Sequence, residues 1–283
     1  MKVKSIAVVG AGTMGRGIAY AAVAGGFRTL LSDVNQEILV RAQSYIRDTL
    51  RSAKERGKWS GEPDEALAGL TLSVNLEEAG QADLVIEAVP EDIRLKLETF
   101  GRLDAVAPPE ALFASNTSSL SISEMSAATT RGARFLGMHF FNPVPKMKLI
   151  ELVSTPETSE ETLATAEEVA RQMGKETVRV KESPGFVTSR INALIGNEAF
   201  RMLEEGIATA EDIDKAVKLG LNHPLGPFEM VDLVGLDVRL AVLDYLHRRL
   251  GERFQPGRIL VEHVKAGRLG RKVGRGVYDY ETT

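Results

Sequence analysis

The chain contains no cysteine. Disulfides, thiolate zinc sites and a cysteine nucleophile are thereby excluded. Histidine is also scarce, with four scattered among 283 residues. A multi-histidine metal centre is therefore not expected, and no metal is assigned. Positive charge is not in excess: 35 Lys and Arg stand against 39 Asp and Glu, for a formal net charge of −4. No global surplus of cations is available to neutralise phosphates, which argues against nucleic acid as the main partner. No apolar run approaches the roughly 18–20 residues that span a bilayer. The opening "MKVKSIAVVG" passes directly into a short apolar run and then glycines, unlike a signal peptide. The expectation is a soluble, cytoplasmic protein without a membrane or nucleic-acid partner. Its 43% hydrophobic content suffices for a sizeable core, in one large or two modest domains.

The first half alternates short β-like runs with longer helical stretches. "SIAVVG", "RTLLSD", "ADLVIEAV", "ALFASN", "RFLGMHF" and "KLIELV" read as strands. Segments of helical length, such as Gly15–Ala24 and Gln36–Arg56, separate the early ones. That alternation implies right-handed βαβ units and a parallel sheet covered on both faces. After a last β-like run, "ETVRV", the texture changes: "KESPGF" places a Pro-Gly turn near Lys181. Beyond it, "VTSRINALIGNEAFRMLEEG", "ATAEDIDKAVKLG" and "GLDVRLAVLDYLHRRLG" carry aliphatics at helical spacing, with Gly206, Gly220 and Gly251 where C-caps would sit. The boundary falls at about 181–185, giving domains 1–183 and 184–283.

"VVGAGTMGRG" holds Gly10, Gly12 and Gly15 in GxGxxG spacing, after a predicted strand and at the opening of a helix. The first glycine allows the tight turn, the second a close backbone approach to a pyrophosphate, and the third close helix–strand packing. The helix N-terminus offers N–H groups and partial positive charge to the phosphates. A second strand ends in Asp33, eighteen residues after Gly15. An acid there accepts hydrogen bonds from an adenosine ribose and repels a 2′-phosphate. No Arg follows in "DVNQE", which favours NAD over NADP. The fold class is α/β: an N-terminal Rossmann-type doubly wound parallel sheet followed by an all-helical C-terminal domain.

NAD chemistry on an alcohol requires a base for the hydroxyl proton. Histidine, with an unperturbed pKa near about 6.5, suits that task, and a positioned base contributes roughly 10²–10⁴-fold. His139 closes one predicted strand and Glu151 lies in the next, with the Pro-rich turn Asn142–Pro145 between them. A carboxylate on the other ring nitrogen would fix the tautomer and stabilise the imidazolium. The residues alone leave two readings open: this pair, or a buried structural histidine and a glutamate on a solvated edge. The other histidines read as structural. His223 sits in a Pro-flanked turn, His247 on a basic helix face, and His263 near a surface helix end.

"SNTSSL", "HFFNPVPKMKLIE", "SPGFV", "AVKLGLNHPLGPFEMVDLVGLD" and "GRKVGRGVYDY" follow "GAGTMG" in the order seen in the 3-hydroxyacyl-CoA dehydrogenase family, and they span nearly the whole chain. The chain closely resembles the short bacterial members of that family. The resemblance implies that His139 is the catalytic base and Glu151 its partner. It implies that Ser118 hydrogen-bonds the substrate and that Asn142 lies beside the nicotinamide end. Gly10, Gly12, Thr13, Met14, Gly15, Asp33, Glu91 and Lys96 form the implied cofactor-binding set. One position departs from the family pattern. Ser189-Arg190 stands where the family has Asn-Arg, so the substrate contact of Ser189 is in doubt; Asn192 follows one helical turn on, about 5 Å along the axis.

The resemblance further implies NAD-dependent, reversible oxidation of an (S)-3-hydroxyacyl-CoA, of short chain, and a homodimer formed through the C-terminal helical domain. A free hydroxy acid such as L-gulonate is the alternative substrate on the same fold. "IRDTLRSAKERGKWSG" brings Arg47, Arg51, Lys54, Arg56 and Lys58 together in an otherwise acidic protein. That helix end, Lys54 and Arg56 above all, is either a site for CoA phosphates or an ordinary solvated face.

Overall fold

The computed structural model describes residues 2–280. The chain divides into two compact units, Met1–Ser183 and Pro184–Thr283. The first holds one eight-stranded sheet. Its strands are β1 (Ser5–Val9), β2 (Arg28–Ser32), β3 (Leu70–Ser73), β4 (Leu84–Glu87), β5 (Leu112–Ser115), β6 (Phe135–Phe140), β7 (Leu149–Ser154) and β8 (Glu176–Lys181). They lie in the order β3-β2-β1-β4-β5-β6-β7-β8. Their cores are near-continuous aliphatic runs such as "IAVV" and "LVI", as expected for strands buried on both faces. The helices of this unit are α1 (Thr13–Ala24), α2 (Gln36–Glu55), α3 (Pro63–Ala68), α4 (Leu76–Ala79), α5 (Ile93–Asp104), α6 (Ile122–Ala127) and α7 (Glu160–Gln172). Asn35, Asp92 and Ser159 cap α2, α5 and α7, each accepting backbone N–H bonds from the first turn.

The sheet is parallel from β3 through β6, as the alternation predicts. It does not stay parallel to its edge. β7 runs antiparallel to β6, and β8 parallel to β7. The cause is the short connection at 141–148, which has no room for the crossover that a parallel neighbour needs. β3, the four-residue "LTLS", is absent from the strands expected from sequence. It is too short for its alternation to stand out from the flanking helices. Two layers cover the sheet. Met138, Phe140, Ile150 and Leu152 share one buried cluster with α1 and α7 residues such as Ile18 and Val169. Toward α5, Phe100 packs against Phe135 and Phe113 with ring centroids 4.7 and 5.8 Å apart.

The second unit is helical: α8 (Thr188–Glu204), α9 (Ala210–Gly220), α10 (Pro227–Val234), α11 (Leu236–Leu250) and α12 (Arg258–Lys265). Phe200 and Phe228 meet edge to face at its centre. Gly206 (φ +68°) and Gly251 (φ +87°) terminate α8 and α11 in the left-handed region as read from sequence. Gly220 does not: it is the last residue of α9, and the left-handed position is Asn222 (φ +55°). Asparagine tolerates that region better than other non-glycine residues. The basic tail folds back on the helices. The Asp232 carboxylate accepts from Val277 N, Tyr278 N and the Tyr280 hydroxyl at 2.8–3.0 Å, and Asp214 accepts from the Tyr278 hydroxyl at 2.8 Å. Burial, then the neighbouring carboxylates, pushes both tyrosine hydroxyls up, Tyr280 to about 12, so both remain donors. No helix among the described residues is long and apolar enough to cross a membrane.

Candidate active site

The strand order reverses between β1 and β4, which opens a crevice at the carboxyl edge of the sheet. The glycine loop lies there. Gly10 takes φ +98°, and a Cβ on it would lie 2.6 Å from the Ala88 carbonyl oxygen. A Cβ on Gly15 would overlap the Gly10 carbonyl oxygen, so close packing of α1 on the loop requires glycine at that position. Gly12 faces open space, and Thr13 and Met14 follow as the first residues of α1. Helix α1 has neither a side-chain cap nor an acid in its first turn, which leaves its N–H groups to an external anion. Asp33 Oδ2 accepts from Ala11 N at 2.8 Å and Oδ1 from Asn35 N at 3.0 Å. The carboxylate is thus fixed against the loop with lone pairs left for ribose hydroxyls. These residues fit a dinucleotide with an unphosphorylated 2′-hydroxyl.

The loops after β4, β5 and β6 are tied to one another. Glu87, the last residue of β4, is fully buried. Its carboxylate accepts from Val89 N (2.7 Å), Lys96 Nζ (2.6 Å) and Ser115 Oγ (2.6 Å). Burial pushes this carboxyl up, and Lys96 with the three hydrogen bonds opposes that push. Lys96 Nζ also lies 3.3 Å from Glu91 Oε2, and Glu91 Oε1 accepts from Thr117 Oγ1 (2.5 Å) and Ser118 N (3.2 Å). Lys96, read from resemblance as a cofactor contact, is 1% exposed, and the structure places its ammonium between Glu87 and Glu91. Asn116 Oδ1 accepts from Phe140 N at 2.9 Å, which joins the Ser118 loop to the end of β6. Ser118 Oγ makes no hydrogen bond among the described residues.

His139 and Glu151 are directly opposite across the antiparallel β6–β7 pair. Cross-strand partners share a face, and His139 Nδ1 lies 2.7 Å from Glu151 Oε2. His139 is 7% exposed and Glu151 fully buried. The Phe141 ring lies 4.5 Å from the imidazole, centroid to centroid. The turn beyond is braced from the core: Lys175 Nζ donates to Val144 O (2.5 Å) and Met147 O (2.7 Å), and Val144 packs over Gly17 of α1. Its Asn142–Pro143 peptide bond is cis. Asn142 is exposed in this turn.

Other expected residues lie apart from this edge or in the second unit. Lys54 and Arg56 end α2, where Lys54 is 2.5 Å from Glu62 Oε2 and Arg51 is 3.9 Å from Asp64. Ser189 occupies the first turn of α8 in the second unit. His247 contacts Glu252 at 3.3 Å on α11. Glu87, Asn116 and Thr117 were not singled out from sequence. An acid closing the apolar strand "LVIE" is the one signal that pointed to Glu87.

A glycine loop on a doubly wound sheet, an acid fixed for ribose and a His-carboxylate pair on the same sheet edge define the class of dinucleotide-dependent dehydrogenases. Comparison with known proteins narrows the class. Residues 5–183 match the family model described as 3-hydroxyacyl-CoA dehydrogenase, NAD binding domain, and residues 185–280 match its C-terminal domain. The chain is 44% identical over 283 residues to "Probable 3-hydroxybutyryl-CoA dehydrogenase" of Bacillus subtilis, covering 99% of each. It is 40% identical to "Hydroxyacyl-coenzyme A dehydrogenase, mitochondrial" of Sus scrofa, covering 99% of this chain and 92% of the relative. The crystal structure of (S)-3-hydroxybutyryl-CoA dehydrogenase from Ralstonia eutropha superposes with a TM-score of 0.96 at 40% identity, over 99% of this chain and all of that one. The chain belongs to the 3-hydroxyacyl-CoA dehydrogenase family, and it is an NAD-dependent oxidoreductase.

Proposed function

We propose that the protein reversibly oxidises (S)-3-hydroxyacyl-CoA thioesters of short chain, such as 3-hydroxybutyryl-CoA, to 3-oxoacyl-CoA. The observation that carries this reading is the buried 2.7 Å contact between His139 Nδ1 and Glu151 Oε2 at the sheet edge that holds the glycine loop. With Nδ1–H donated to Glu151, Nε2 is the ring nitrogen that carries the basic lone pair. His139 takes the 3-hydroxyl proton as the C3 hydrogen departs with its electron pair. NAD, when bound, supplies the acceptor for that pair. In the reverse direction the imidazolium returns the proton to the alkoxide oxygen. Ser118 Oγ, on a loop anchored through Glu91 and Asn116, and Asn142 hold the substrate oxygens. The test is NADH consumption with acetoacetyl-CoA and with free acetoacetate, and NADH formation from NAD with L-gulonate. Rapid turnover of the thioester alone is expected. Oxidation of L-gulonate without thioester turnover would overturn the substrate class and keep the His-Glu chemistry.

Lys54 and Arg56 are proposed to hold CoA phosphates. Because Glu62 already pairs with Lys54 at an exposed site, the contribution of each cation is modest, about 0.2–1 kcal/mol. A Lys54→Ala/Arg56→Ala variant should raise KM for acetoacetyl-CoA by roughly 2–10-fold with KM for NADH unchanged. Equal KM values for the thioester would refute the assignment. The helical unit exposes Leu219, Leu221, Leu233, Val234 and Val238, which supports a homodimer through that unit. The proposed setting is the cytoplasm.

A further inference from the structure

Helix α6 has only six residues, too few for its own hydrogen bonds to hold it in place. Its N-terminus is fixed twice. Ser121 caps it from within, with Oγ accepting from Glu124 N at 3.2 Å. Glu182, which follows β8, holds it from outside. Glu182 N donates to Ser154 O at the end of β7 at 2.9 Å, so this residue is itself tied to the sheet. One of its carboxylate oxygens accepts from Ser121 Oγ (2.8 Å) and Ser123 N (3.1 Å). The other accepts from Ser123 Oγ and from Ser123 N (3.2 Å). No Lys or Arg pairs with this half-buried carboxylate among the described residues. Two hydroxyls, one amide and the positive end of the helix take the place of a cation. The Ser121 cap already serves the helix; the carboxylate adds a tie between α6 and the outer strands.

That tie begins at Ser121, just beyond the loop that carries Ser118. The loop between them is tightly wound. Thr117 Oγ1 donates to Glu91 and accepts from Ser119 N (3.3 Å) and Leu120 N (2.9 Å), while Ser118 N donates to Glu91. Beyond Ser121, Ile122 packs over Gly137 of β6, where a Cβ would lie 3.0 Å from Ile122 Cδ1. The loop is thus pinned at its entry by Glu91 and at its exit by Glu182, and all of these groups belong to the first unit. We infer that Glu182 is a positioning residue for the reaction, which acts through Ser121 and Ser123 to hold Ser118 Oγ where it meets the substrate oxygen. The inference rests on the proposed 3-hydroxyacyl-CoA reaction and on the role given there to Ser118. A misplacement of about 1 Å, caused by a change away from the chemistry, can cost roughly 100-fold in rate. Release of one end of so short a loop allows a movement of that size.

The test is a double-mutant cycle on kcat/KM for acetoacetyl-CoA with NADH, using Glu182→Ala, Ser118→Ala and the two together. Glu182→Ala should lower kcat/KM by roughly 10–100-fold, and Ser118→Ala by at least as much. Because Glu182 acts through Ser118, the double variant should match Ser118→Ala alone to within about 2-fold. A residue that merely stabilised the fold would instead multiply its loss onto that of Ser118→Ala. Affinity for NADH, from a fluorescence titration, should be the same in Glu182→Ala as in the wild type. Glu182→Asp is the second variant. It keeps the charge near α6 but withdraws it by one methylene, and it should follow the same cycle even where Glu182→Ala does not fold. Losses that multiply, kcat/KM near the wild type in either Glu182 variant, or a parallel loss of NADH affinity would each overturn the proposal. Two other results would strike the reading beneath it. No turnover of acetoacetyl-CoA by the wild type removes the reaction, and a Ser118→Ala variant as fast as the wild type removes the role of Ser118; this inference falls with either.

Discussion

His139→Gln is expected to lower turnover of acetoacetyl-CoA by about 10²–10⁴-fold, the usual contribution of a positioned general base. Affinity for NADH should stay nearly unchanged. The two effects separate because the machinery is spread along the sheet edge. The glycine loop follows β1, whereas His139 is the next-to-last residue of β6, three strands away in the order β1-β4-β5-β6. At the usual strand spacing this is roughly 14 Å. Glutamine keeps a donor for Glu151 and a similar volume beside Phe141, so the buried carboxylate is not left unpaired. It has no basic nitrogen to take the hydroxyl proton. The measurement pairs initial rates with a titration of NADH fluorescence. Turnover near that of the wild type would sink the assignment of the base. Parallel loss of NADH binding would show that the substitution had disturbed the crevice rather than the proton transfer.

What the sequence disclosed, and what it withheld, follows from how local each signal is. The glycine loop is local: three glycines, one turn and one helix start lie within a few residues, so their conformational demands are visible in a single line of text. The pairing of His139 with Glu151 is semi-local. A short Pro-rich connection between two β-like runs limits the geometries, and the antiparallel register that makes the two residues direct partners follows from that shortness. The sequence alone, however, left a structural histidine equally open. Glu87, Lys96 and Asn116 belong to a third kind. Glu87 meets Ser115 across 28 positions and Asn116 meets Phe140 across 24. Those contacts exist because parallel strands bring the ends of β4, β5 and β6 to one edge, and no spacing rule in the chain encodes them. Strand β3 was missed for a different reason: four residues carry too little periodicity to outweigh their surroundings.

The buried ion pair beneath the Ser118 loop should give the largest stability effect, and its two halves should respond differently to pH. Glu87 and Lys96 are 0% and 1% exposed, and removing one partner of such a pair typically costs about 3–5 kcal/mol. Glu87→Leu strands an ammonium whose remaining neighbours are Glu91 Oε2 and the Val89 carbonyl, each at 3.3 Å. The Glu91 carboxylate and the Val89 carbonyl still face that ammonium at either pH, so the deficit should change little between mildly acidic and mildly alkaline conditions. Lys96→Met strands a carboxylate that burial already pushes up. With the ammonium gone, Glu87 can avoid its buried charge by binding a proton. The native state then holds more protons than the unfolded chain, so stability falls as pH rises above the ordinary glutamate value of about 4.3 and levels off beyond the raised native value. Urea unfolding at about pH 5 and about pH 8 separates the cases. A deficit in Lys96→Met that grows with pH, beside a steady one in Glu87→Leu, is the expected result. The double variant should recover most of the loss, since an apolar pair of similar volume leaves no charge buried. Deficits under about 1 kcal/mol in both single variants would show that the pair is not what holds the β4 and β5 loops together. If the expected pattern is found, the same pair fixes Glu91, and through it the loop that carries Ser118.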